Sequence, residues 1–100
     1  MKLGIMVTTD RFAAQIRGIV EAALRGGHTV ALFATGEGVT LLADRGFVSL
    51  SALPGVAIGY CEHSLQSRGG RPASTPAAVV AGSQFDNATL VSESDRVVVL

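Results

Sequence analysis

The sequence of 100 residues is long enough for one domain and too short for two, because a chain of this size buries only about two-thirds of its unfolded surface. It is 48% hydrophobic but only 5% aromatic, the usage of a sheet covered on both faces by helices. Eight basic and eight acidic residues cancel and are scattered, which excludes the basic stripe that nucleic acid requires.

No apolar run approaches the roughly 20 residues that span a bilayer, which argues against a membrane protein. Met1-Lys2 leads straight into a strand-like segment without a signal-peptide pattern, so the expectation is a cytoplasmic protein. A mean hydropathy of +0.43 is high for a small monomer and predicts that further copies of the chain cover part of its surface.

Lys2 to Thr9 (KLGIMVTT) predicts a first strand, and Asp10 predicts an N-cap for the helix that follows. From Arg11 to Arg25 the residues Phe12, Ile16, Ile19, Val20, Ala23 and Leu24 recur at helical spacing, with Arg17, Glu21 and Arg25 at i,i+4 on another face. Ala14, Gly18 and Ala22 form a small-residue stripe that is read as packing. Gly26-Gly27 stops the helix. His28 to Ala34 predicts a second strand, Thr35 to Gly38 a loop, and Val39 to Arg45 a short helix ended by Gly46.

Phe47 to Pro54 is ambiguous between helix and loop. Val56 to Cys61 (VAIGYC) predicts a third strand, and Ser67 to Pro76 (SRGGRPASTP) an exposed, mobile loop. Ala78 to Ser83 reads as a fourth strand, Gln84 to Glu93 as helix or turn, and Arg96 to Leu100 as a last strand. Strands alternating with helices predict a single domain spanning residues 1–100, a three-layer α/β/α sandwich on a mostly parallel five-stranded sheet.

Chemistry in such sheets gathers at the carboxyl ends of the strands. Here those ends carry Thr8, Thr9 and Asp10, then Thr35 and Gly36, then Cys61, Glu62 and His63. Cys61 is the only cysteine, so it forms no internal disulfide and its roles are packing, nucleophilic chemistry or an intermolecular bond. If Glu62 to Ser67 opens a helix, its N-terminus favours thiolate, and Arg68 or Arg71 folding back from the loop adds to this. Equally, a free cysteine commonly serves as a small buried apolar side chain. Position alone leaves both roles open, and with them a partly exposed sulfur as the expectation for a reactive one.

Other sites find less support. Thr35-Gly-Glu-Gly-Val39 lacks the Lys-Ser/Thr of a P-loop and the full G-x-G-x-x-G spacing. His28, Cys61 and His63 have no metal-ligand spacing, and no elbow motif supports a serine triad, so no metal or cofactor is expected. Asp10 lacks the acidic cluster and the late lysine of a phospho-acceptor site. His63 reads as a surface or capping residue and Glu62 as a first-turn acid. A cysteine without a Cys-x-x-Cys partner argues against a dithiol reductase.

A strand, a Thr-Thr-Asp turn, an amphipathic helix, a second strand with a Gly-containing loop, and a third strand ending in Cys61, with Arg68-Gly69 following, resemble the DsrE/TusD sulfur-relay family. The closing SDRVVVL, Ser94 to Leu100, is similar to that family's last strand. The resemblance implies that Cys61 carries sulfur as a persulfide between donor and acceptor proteins. It also implies a trimer or a trimer-based hexamer. Thr8, Thr9, Thr35, Gly36, Arg68 and Arg71 are the candidate binding residues around it. Two further readings stay open. One is an oligomeric binding or regulatory module with a structural or redox-sensing Cys61, and the other an enzyme using a pocket between Thr8, Thr35 and Cys61.

Overall fold

The computed structural model describes Met1 to Leu100. Five strands, β1 (Lys2–Val7), β2 (Thr29–Ala34), β3 (Val56–Cys61), β4 (Val79–Gly82) and β5 (Arg96–Val99), form one sheet in the order β4-β3-β2-β1-β5. Every neighbouring pair is parallel, so the sheet is wholly rather than mostly parallel. Parallel neighbours need crossovers, and these are supplied by α1 (Ala13–Arg25), α2 (Arg45–Val48), α3 (Glu62–Gln66) and α4 (Gln84–Glu93).

From β1 the chain steps outward through β2 and β3 to β4, then returns across the sheet to put β5 beside β1. A crossover of constant hand places outward steps on one face and the return on the other. The packing follows this division. Ile16 and Val20 of α1 and Leu65 of α3 join Ile5, Val7, Val30, Leu32, Ile58 and Tyr60 in the main core. Leu90 of α4 packs with Phe33 and Cys61 on the opposite face. Because successive strand residues point to opposite faces, Leu32 and Phe33, or Tyr60 and Cys61, serve different cores.

The second face is covered by α4 alone. Val80 (60% exposed) and Val99 (59%) lie on it at the two sheet edges, and Phe85 (78%) projects from α4. α4 approaches closely at Gly4, where a Cβ would stand 2.5 Å from Ser94 Oγ and 2.7 Å from the Leu90 side chain.

Two local expectations are corrected. Asp10 does not cap α1: the N-cap position falls at Phe12 with no side-chain hydrogen bond, and Asp10 instead accepts from the Thr40 hydroxyl at 3.0 Å. The stretch after β2 is a 3-10 segment (Gly36–Ala43), α2 and a 3-10 turn (Ser49–Ala52), so Gly46 lies inside a helix rather than after one. Asp44 caps α2 by accepting from Phe47 N at 2.9 Å. This turns Phe47, Val48 and Leu50 into the core, and burial decides a segment that periodicity left ambiguous. The loop after α3 is exposed, as expected, and Arg71 ties it to the sheet, donating to Tyr60 OH at 2.9 Å, Val79 O at 2.8 Å and Pro76 O at 2.8 Å.

Candidate functional site

The last residue of β3, Cys61, is also the N-cap of α3, with extended backbone (φ −76°, ψ 112°). Its side chain therefore stands where an Asp or Ser would ordinarily receive the free N–H groups of a helix start. In register beside it lies Gly82, the last residue of β4. Ser83 then caps α4, accepting from Phe85 N at 3.2 Å while its own N–H donates to Asp86 Oδ2 at 2.7 Å. A side chain at 82 would stand 2.6 Å from that carboxylate, so glycine is what lets the cap form. Two helices thus begin side by side at one end of one strand pair.

Between them is a pocket of about 500 Å³. Cys61, Glu62, His63, Ser64 and Gln66 line it from the β3–α3 side, and Gly82, Ser83 and Gln84 from the β4–α4 side. Cys61 itself is only 4% exposed, which corrects the expected partial exposure: one flank packs on Phe33 and Leu90 while the residue still forms pocket wall.

The neutral thiol makes no capping hydrogen bond. Burial pushes the Cys61 thiol up, but the Ser64 hydroxyl, the Ser64 backbone N–H, the Gln84 amide and the His63 backbone N–H together bring it below the ordinary thiol value. Such donors strengthen once the sulfur carries charge. Each side-chain donor is itself held. Ser64 Oγ accepts from Gly36 N at 3.1 Å, leaving its hydroxyl proton free to point at the sulfur. Gln84 Nε2 donates to Thr35 Oγ1 at 2.9 Å.

Of the residues singled out from sequence, Thr35 and Gly36 act on the site at one remove, through Gln84 and Ser64. Thr8 does not line the pocket; its N–H and hydroxyl both donate to Leu100 O, at 2.6 and 3.1 Å, fixing β5 beside β1. The hydroxyl of Thr9 is buried without a partner, away from the pocket lining. A pocket bounded by Thr8, Thr35 and Cys61 is therefore not what forms.

The two arginines are also not what lowers the thiol. Arg68 donates to Ser64 O at 3.2 Å, closing the end of α3. Arg71 stacks over the Tyr60 ring at 5.6 Å, and Tyr60 points to the opposite face of the sheet from Cys61. Sequence reasoning missed Ser64 and Gln84. A usable signal for Gln84 was present in Ser83-x-x-Asp86, a capping-box spacing that puts Gln84 on the first turn beside the strand ends. No group of three or more His, Cys, Asp or Glu side chains is placed to hold a metal ion.

Fold and site together define a small, wholly parallel α/β domain whose single thiol sits where two helices begin. No family model matches the sequence, and no curated protein matches it closely enough to count as a relative. Solved structures do share the fold. The protein of unknown function MTH1491 from Methanobacterium thermoautotrophicum superposes with a TM-score of 0.80 at 14% identity, over 99% of this chain and 98% of that one. The ychN protein from E. coli gives a TM-score of 0.72 at 14% identity, with all of both chains covered. At this identity the likeness is one of architecture.

Proposed function

We propose that this chain is a sulfur carrier, accepting and passing on persulfide sulfur through Cys61. The observation that carries the reading is the placement of Cys61 at the start of α3, on the wall of an open pocket that Ser64 and Gln84 line with it, where both groups lower its thiol. The Cys61 thiolate attacks the outer sulfur of a donor persulfide; that S–S bond breaks, the donor departs as thiolate with the bonding pair, and Cys61 keeps the new S–S bond. In the second step an acceptor thiolate attacks the outer sulfur and Cys61 leaves as thiolate. No net oxidation occurs in either step. A depressed thiol pKa serves both, raising the share of Cys61 present as thiolate and then making it a better leaving group. With no second cysteine, the persulfide has no resolving thiol within the chain.

The same reading takes the protein as a cytoplasmic homo-oligomer, a trimer or trimer-based hexamer, served by donor and acceptor proteins. Val80, Val97 and Val99 on the half-covered sheet face give such an assembly an apolar contact surface. No helix is long and apolar enough to cross a membrane.

Incubation with a persulfide donor should add the mass of one sulfur atom, and Cys61→Ser should abolish the gain. Wild-type protein that stays unmodified under conditions that load another persulfide carrier would overturn the reading. The packing of Cys61 on Phe33 and Leu90 favours the second reading, a binding module of the same fold with a structural or redox-sensing cysteine. Failure of sulfur loading would leave that one standing.

A further inference from the structure

Asn87 is the one polar side chain in the buried set, at 9% exposure, one turn along α4 from Gln84. Its Nδ2 donates to Gln84 Oε1 at 3.2 Å, and its own Oδ1 is buried with no partner. A buried acceptor left unpaired is unfavourable, and a leucine, branched at the same atom with no polar group to satisfy, would suit a site beside Leu90 better. What Asn87 contributes is a donor aimed at one end of the neighbouring amide.

The sense of that amide matters to the sulfur. Gln84 has an N–H₂ end that attracts a thiolate and an oxygen end that repels it. One Nε2 proton goes to Thr35 Oγ1, which leaves the second free to face Cys61, the residue that shares the pocket wall with Gln84. A threonine hydroxyl both donates and accepts, so Thr35 fixes where the amide lies but serves either sense. Asn87, by donating to Oε1, selects the sense that presents nitrogen to the sulfur.

We propose that Gln84 is a further residue of the sulfur-transfer site, holding negative charge on the Cys61 sulfur, and that Thr35 and Asn87 are positioning residues, Thr35 fixing where its amide lies and Asn87 which end of it meets that sulfur. This rests on the sulfur-carrier reading. In the two steps above, charge sits on sulfur before attack and again as Cys61 departs, and a pre-oriented amide needs no reorganisation at either moment. The titratable groups facing the pocket are Glu62 and His63 from α3, while α4 brings Asp86, held by the Ser83 N–H. None of these lies within the Thr35–Gln84–Asn87 chain of hydrogen bonds.

The test is the pH profile of Cys61 alkylation by iodoacetamide, with thiolate absorbance followed in parallel, on the full chain. Gln84→Ala should raise the midpoint by roughly half a unit to one unit. Asn87→Leu should raise it by less and keep the melting temperature, since it removes an unpaired buried oxygen, and its effect should vanish in the Gln84→Ala background. Should Asn87→Leu fail to fold, Thr35→Val tests the other tie to the same amide. An unchanged midpoint in Gln84→Ala overturns the proposal. A shift in Asn87→Leu that adds in full to that of Gln84→Ala overturns the positioning role. A wild-type midpoint in the ordinary thiol range would count against the sulfur carrier instead, and the Gln84→Ala shift would still decide the role of the amide.

Discussion

Tyr60 and Cys61 are consecutive in β3 and stand on opposite faces of the sheet, the phenol bound by Arg71 and the thiol set in the wall of a pocket that Ser64 and Gln84 also line. The loop arginine is thereby committed to the side away from the sulfur. Arg71→Ala should cost about 1–2 kcal/mol in urea unfolding, through loss of charge-assisted hydrogen bonds to Tyr60, Val79 and Pro76. Well below the melting temperature the midpoint of Cys61 alkylation should stay where it is. An upward move there would return Arg71 to the thiol.

The Ser64 hydroxyl does most among the neighbouring groups to lower the Cys61 thiol, and it is oriented by Gly36 N. Ser64→Ala should slow alkylation at neutral pH several-fold and raise its midpoint, with little loss of stability because Gly36 N is only part-buried. Rates measured across the pH range check this.

The same depression makes stability depend on pH. A thiol whose pKa is lower folded than unfolded stabilises the fold above the unfolded value, and that contribution is lost as pH falls through the folded value. Wild type should therefore gain on Cys61→Ser as pH rises from mildly acid to alkaline. Urea midpoints of both proteins at the two extremes measure the difference, and a constant gap would show that the sulfur keeps an ordinary pKa in the fold.

Gly4 is where α4 meets β1. Gly4→Val would push Ser94 and Leu90 off the sheet and should cost about 1–3 kcal/mol. Since α4 also carries Gln84, alkylation of Cys61 should slow in the same variant even while it remains folded.

Val80, Val97 and Val99 mark the half-covered face. Val97→Asp should leave the fold intact and reduce the particle to the 10.3 kDa of a single chain in light scattering. A wild-type protein already at that mass would remove the oligomer from the proposed function.

The strands were legible because each is a short apolar run set off by glycine or polar residues, and the end of VAIGYC placed Cys61 at a strand terminus without further help. The alternation of strands and helices carried the three layers. Strand order was not legible, because the return from β4 to β5 depends on which face α4 covers, a matter of packing rather than periodicity. Phe47 to Pro54 resisted reading because its buried residues divide between the single turn of α2, with Phe47 and Val48, and a 3-10 turn, with Leu50, and neither is long enough to show a helical stripe. Asp10 misled because a side chain suited to capping α1 found a partner in Thr40, distant in sequence. The arginines misled for a like reason: charge near a cysteine in sequence says nothing about which face of the sheet it reaches.

β4 is four residues long and lies at the sheet edge, paired only to β3. Edge strands of this length are the first to fray when a domain is warmed, because local opening there exposes little buried surface. Ser83 and Gln84 follow it directly, so fraying would carry half of the thiol's surroundings away while the rest of the sheet held. Chemistry at Cys61 would then have its own melting point, lower than that of the protein, and heat would silence the thiol in a chain still largely native by circular dichroism.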